Sequence, residues 1–493
     1  MVTAENFNGF LAFVFLLSVP LTALLSVVIR RRYRKAVSAV MMSTAGASAE
    51  AFDVPEPALP NRGTLAFDVA PLPRAPRLRV GLAGRYLLAG LACSVVLVVV
   101  MFLLNGIAFL PVRFGVVVGA FAFTALIMAL YVAGLRWFWI LLAAVIWVGL
   151  LYAVAPQSGE VIGLLSLPSL MLALVIGNPA LRRTTLTLFL VSVSLVVPMV
   201  FALDILYLAL VTGILDGLRS ILPEAIVRTL YVVLALAVVL GAGIGLAWAA
   251  VRLVARATAT ASEFMMQHDV IWLFQTIWII GLGWGMNGPA VLLYLLAFAV
   301  YRGVLRLLRP RGDATEVNLL LRVFGQRKSQ TRLSRGLLLD WRQTGPVLLI
   351  GASDLATETL DAPELAAFLS RRLDSIFITG PGDLAAARAK GEHRLGDGLF
   401  PMQDHYCRDD SWRPTVLTLM SRAHRVLIDL RGFEPENRGI RFEIDALAER
   451  VPADRITVIA DSGRVEAAQA LFSDAWHRAG RKDGTDTIAI RVA

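Results

Sequence analysis

The chain has 493 residues, of which 57% are hydrophobic and 17% charged, and its mean hydropathy is +0.68. Soluble domains carry about 25% charged residues, so this composition excludes an ordinary soluble globular protein and points to an integral membrane protein. The net charge of +10 comes from Arg clusters at the ends of apolar runs, where they set orientation in a bilayer rather than bind nucleic acid.

The first apolar run, Asn8 to Ile29, follows an uncharged-to-acidic start and ends in Arg30, Arg31, Arg32, Tyr33, Arg34 and Lys35. A secretory signal carries its positive charge before the apolar run. Residues 1–35 therefore read as a retained anchor span with its N-terminus outside and its basic end in the cytosol. Residues 36–83 are small, polar and rich in proline (Pro55, Pro57, Pro60, Pro71, Pro73, Pro76). Such a composition buries no core, which predicts a flexible cytosolic loop.

Residues 84–314 read as a polytopic transmembrane domain, with candidate spans at about 84–105, 110–133, 136–155, 161–178, 184–208, 229–252, 268–286 and 288–305. Runs of roughly 20 apolar residues match the hydrocarbon thickness. With the anchor they make about nine spans. Alternation from an outside N-terminus puts Arg136, Arg182, Arg183, Arg252, Arg256 and the Arg302–Arg311 cluster on the cytosolic side, and the C-terminus with them. The segment His268–Trp284 reads either as a span or as a re-entrant helix, with Trp272, Trp278 and Trp284 fitting an interfacial belt. Asp204 is the one acid deep in an apolar stretch. It is either a functional intramembrane carboxylate or the start of an interfacial helix beyond a span ending near Ala202. Gln275 and Asn178 read as hydrogen-bonding ties between helices.

From Thr315 onward short β-rich runs alternate with helical patterns, the signature of βα units. The runs are 318–325, 346–351, 375–379, 425–430, 455–460 and 487–492, with helix-like segments at 329–343, 362–373, 381–390, 411–423, 438–451 and 464–479. The runs are continuously apolar, as strands covered on both faces are. This predicts a C-terminal α/β domain over 315–493, doubly wound and flavodoxin-like, with a mostly parallel sheet.

Open α/β sheets bind ligands at the carboxyl ends of their strands. Ser353 and Asp354 follow one run, Asp429 and Gly432 lie at the end of a second, and Asp461 follows a third. Carboxylates with small neighbours suit a metal or the hydroxyls of a ribose, although Asp, Ser and Gly also cap helices and make turns. Two cysteines, Cys93 and Cys407, lack a partner at metal or redox spacing, and His405 with Cys407 makes no metal site. Walker A and G-x-G-x-x-G patterns are missing, and GASDL at 351–355 is no nucleophile elbow. On the helix 438–451, Ile440, Ile444, Leu447 and Val451 form a stripe. Glu443 flanks it, either at the rim of a cleft, where partial burial raises a carboxyl pKa, or as an ordinary solvated residue on the helix margin. Phe442 falls opposite the stripe, as a docking surface would.

The order WRPTVLTLMSRAHRVLIDLRGFEPENRGIRFEIDAL resembles the latter half of Toll/interleukin-1 receptor domains, with Phe442-Glu443 standing at that family's aromatic-plus-Glu signature. The whole chain looks like bacterial multi-spanning inner-membrane proteins that end in such a domain. The resemblance implies a cytosolic nucleotide-binding or signalling module, self-associating through that domain. It also implies that NAD or another nucleotide is the ligand. If the domain is enzymatic, the reaction is NAD glycohydrolysis with Glu443 catalytic and Asp429 positioning ligand. A non-catalytic interaction module and a transporter or channel with a regulatory domain are the alternatives.

Overall fold

The computed structural model describes residues 4–43, 64–72, 80–135, 137–154, 261–314, 316–322, 337–351, 362–434, 438–479 and 485–493, with isolated positions elsewhere. The chain forms two compact units. One comprises Met1–Arg32, Val80–Leu308 and Thr359–Ser370, and the other Tyr33–Arg79, Arg309–Glu358 and Arg371–Ala493.

The described helices of the first, apolar part are Ala4–Met41, Val80–Leu104, Pro111–Val132, Trp137–Val154 and Glu263–Asn287. A 3-10 turn, Gly288–Tyr294, then runs into Leu295–Leu307. Among the described residues three helical stretches are long and apolar enough to cross a bilayer: Val80–Leu104, Pro111–Val132 and Gly288–Leu307. Phe138–Val154 is apolar but shorter. The expected span 161–178 and most of 184–208 and 229–252 lie outside the described residues, so the count of nine does not stand on this structure. The segment that read as crossing or re-entrant is one continuous helix of 25 residues, about 37 Å long.

Small residues let these helices approach. A Cβ on Gly90 would lie 2.5 Å from the Ala125 Cβ and 2.8 Å from the Trp272 ring, so Val80–Leu104 packs tightly only because position 90 is glycine. The Trp147 indole N–H donates to the Gly119 carbonyl at 3.1 Å, and Thr22 donates to the Ser192 hydroxyl at 2.9 Å. Trp272 is fully buried, which removes it from the expected interfacial belt.

The second unit is an α/β layer built on eight parallel strands: β1 (Thr64–Pro71), β2 (Asn318–Arg322), β3 (Val347–Gly351), β4 (Phe377–Ile378), β5 (Met402–Cys407), β6 (Arg425–Asp429), β7 (Ile456–Ala460) and β8 (Thr485–Val492). Their spatial order is β1-β8-β7-β6-β2-β3-β5-β4. The flavodoxin-like order is present as β3-β2-β6-β7-β8, but β5 adds beyond β3. The central six strands therefore follow the 3-2-1-4-5-6 order of dinucleotide-binding sheets. Alternation places Leu319, Leu321, Leu348, Ile350, Val426, Ile428, Ile456 and Val458 on one face. Leu320, Leu349, Leu427 and Ile459 lie on the other, under Leu338 and Trp341.

Two strands escaped the pattern of apolar runs. β5 reads Met-Gln-Asp-His-Tyr-Cys and pairs on its outer side only with the two residues of β4, so its polar residues mask its period. β1 lies inside the stretch expected to be a flexible loop. All eight of its residues pair in parallel with β8, from Thr64↔Thr485 to Pro71↔Val492. Phe52 joins the main core cluster, with Leu65 and Phe67 packed against it. Proline-rich composition hid this strand because its sheet partner lies more than 400 residues away in sequence.

Phe67→Ala should remove partly buried area from this junction and cost roughly 1–3 kcal/mol, less than truncation of a fully buried Phe. Hydrogen exchange of the full chain should then rise at 485–492 before it rises in β6; unchanged exchange there would separate β1 from the stability of the sheet edge.

Candidate functional site

The helix following β2, Leu337–Thr344, contributes to the Leu338–Trp341 face. The helix following β6, Arg438–Arg450, covers the opposite face through Ile440, Ile444 and Leu447. β2 and β6 are neighbours, so the connections change face between them. This is a topological switch point, where such sheets open a crevice at their carboxyl edge.

The loop after β6 is built as a tight turn. The Phe433 N–H donates to the Leu430 carbonyl at 3.0 Å, and Gly432 sits at φ +67°, a left-handed conformation that favours glycine. Arg431 folds back on Asp429, its Nε donating to Oδ1 at 2.7 Å and its Nη2 to Oδ2 at 2.6 Å, with both side chains 8% exposed. The Gly432 N–H donates to Asp461 Oδ2 at 2.8 Å, joining the β6 and β7 loops. Arg464 lies 5.8 Å over the Phe433 ring from the same β7 loop.

The structure therefore brings Asp429, Gly432 and Asp461 together, as the strand-end pattern suggests, but gives the two acids protein partners. Asp429 neutralises Arg431 and Asp461 holds a turn amide. Removing one member of such a buried pair typically costs 3–5 kcal/mol, because the other charge is stranded. Among the described residues no group of three or more His, Cys, Asp or Glu could hold a metal ion. Ser353, Asp354, Asp204 and Asn178 lie outside the described residues. Arg431 is the residue that sequence reasoning passed over; the Asp-x-Arg-Gly spacing after an apolar strand is its only trace.

Glu443 lies elsewhere. Its helix packs on the Val426–Ile428 face, whereas Asp429 follows Leu427 in alternating to the other face. The two carboxyls expected to share a ligand thus belong to opposite layers. Glu443 is not at a rim: it is 4% exposed within the second turn of the helix. Burial alone pushes its carboxyl up to about 8, so it is mostly protonated at neutral pH. Phe442 is not a free docking face either. Its ring meets Trp412 edge-on at 5.2 Å, and the Arg413 guanidinium lies 5.3 Å over it.

His405 and Cys407 both sit buried on β5. Burial holds the imidazole near 4 and pushes the thiol up to about 12, which leaves a neutral ring and a protonated sulfur at pH 7, neither of them an activated nucleophile.

The chain matches no protein-family model, and no curated protein or solved structure matches it.

The Glu443 carboxyl makes a pH prediction. The unfolded side chain ionises near 4.5 and the folded one near 8. Between these values the folded state holds a proton that the unfolded state has released, so stability falls as pH rises through this window and levels off above it. Glu443→Gln keeps the shape and removes the titration. Its melting temperature should gain on the native chain progressively from pH 5 to 8; parallel profiles would show that Glu443 ionises normally when folded.

Proposed function

We propose that this chain is a multi-pass bacterial inner-membrane protein presenting a nucleotide-binding, signalling α/β domain to the cytosol. The observation that carries the reading is the switch point between β2 and β6, next to the positive-φ turn at Gly432. Crevices of this kind accept the phosphate and ribose parts of nucleotides in open α/β sheets. Three apolar spans among the described residues support the membrane part. The full complement is about nine, with the N-terminus outside. Six of the nine expected segments fall on described helices (8–29, 84–105, 110–133, 136–155, 268–286 and 288–305). The Arg302–Arg311 cluster keeps the C-terminal domain inside. Self-association through that domain belongs to the same reading.

Because β1 comes from residues 64–71, the test uses the full chain in lipid nanodiscs rather than a C-terminal fragment. ATP or NAD should raise its melting temperature, and Gly432→Val should abolish that shift by straining the turn. Orientation is read in spheroplasts. Both native cysteines are buried, so a Cys added after Ala493 reports alone, and it should react with an impermeant maleimide only after permeabilisation. No nucleotide shift, or one that survives Gly432→Val, would remove this reading.

A narrower version assigns NAD cleavage to the domain through Glu443, whose carboxyl is 4% exposed on the layer opposite Asp429 and would meet a ribose only if its helix shifts. Deprotonated, Glu443 would stabilise positive charge developing on the ribose, so turnover should climb toward pH 8. Nicotinamide release should disappear in Glu443→Gln while the fold persists. Nucleotide binding without nicotinamide release leaves a sensor.

A further inference from the structure

Polar side chains inside an apolar helical bundle are costly and mark function by default. The helix Glu263–Asn287 carries His268, Trp272 and Gln275 at i, i+4 and i+7, one face over about 10 Å of helix. They are 1%, 0% and 0% exposed. The surroundings are aromatic and small rather than polar. The His268 ring lies 4.1 Å from that of Tyr86, and Trp272 lies against Gly90 and 6.0 Å from the Tyr301 ring.

Gln275 was expected to tie helices together, and among the described residues it does not. Both atoms of its amide, both ring nitrogens of His268 and the Trp272 indole N–H are buried without a hydrogen-bond partner among the described residues. The same holds for the Thr124 hydroxyl on the neighbouring helix. Thr124 sits between Phe123, which packs with Met266, Val270 and Ile271, and Ala125, which closes on Gly90. Neighbouring Thr276, by contrast, donates to the Trp272 carbonyl at 2.8 Å. Three of this helix's orphaned side chains thus share one side, with the Gln267 amide oxygen orphaned off it, and a stripe placed only for packing would be apolar.

The chemistry of the set specifies what it takes. It offers donors (indole N–H, amide NH2, hydroxyl) and acceptors (amide oxygen, hydroxyl, imidazole nitrogen) in mixed array. It offers no unbalanced charge, because the adjacent Asp269 pairs with Arg302. An ion would enter without a counter-charge in a low-dielectric interior. We propose that the helical unit contains an internal site for small uncharged hydrogen-bonding solutes, lined by His268, Trp272, Gln275 and Thr124. The helices are then more than an anchor.

Water is the smallest member of that class and serves as the probe. The full chain in nanodiscs is exposed to X-ray pulses, and hydroxyl radicals formed from water oxidise the side chains that water touches. Trp272 should be oxidised at least severalfold faster than Trp341, which is 4% exposed in the α/β core. Gln275→Leu and Thr124→Val should each bring Trp272 down toward the Trp341 rate, and Gln275→Leu should not raise the melting temperature. Equal rates at Trp272 and Trp341 in the native chain would overturn the site. So would a Trp272 rate that neither substitution changes, or a Gln275→Leu chain that melts higher, since the amide would then have been dry and unpaired.

Discussion

Taking a polar group out of water costs free energy that must be recovered by pairing, by neutralisation or by bound solvent. This protein uses the first two openly. In the α/β unit Asp429 and Arg431 are buried together and recover their desolvation through a two-pronged ion pair. Glu443, buried alone, is held uncharged. The helical unit pairs Asp269 with Arg302 but, among the described residues, leaves the His268–Gln275 face unmatched. The position of each group within its layer follows from this constraint. Asp429 points where Arg431 can reach it, and Glu443 sits in an apolar layer as an acid rather than as an anion.

The same constraint operates on the backbone. Strand β8 is eight residues long and would leave a row of unpaired amides if it ended the sheet. β1 covers it along its whole length, and Arg491 adds an ion pair to Asp68 at 3.0 Å. A segment between two apolar helices is thereby part of the α/β core, and the α/β unit is assembled from distant parts of the chain. Chain entropy opposes such a junction; the ladder and the burial of Phe52, Leu65 and Phe67 offset it.

The carboxyl edge shows what motif reading finds and what it leaves open. Asp429, Gly432 and Asp461 do converge. The bonds that occupy the acids come from Arg431, two residues along, and from an amide across the loop, and residue type alone cannot tell an open carboxylate from an occupied one. For Glu443 the flank of the apolar stripe left burial and a solvated margin both open; the side chain is buried, and its helix packs on the face opposite to Asp429.

Composition and periodicity determined much on their own. Apolar runs marked helices later found at Val80–Leu104 and Pro111–Val132, and short apolar runs marked β2, β3, β6 and β7, because burial on both faces of a sheet selects the same residue types at successive positions. Tertiary structure alone decided the place of β5 in the sheet order, the recruitment of β1, the occupied state of Asp429 and Asp461, and the lack of partners around Gln275. Each depends on which side chain or amide meets another across space, and local sequence carries a residue's preference for burial but not the identity of what it is buried against.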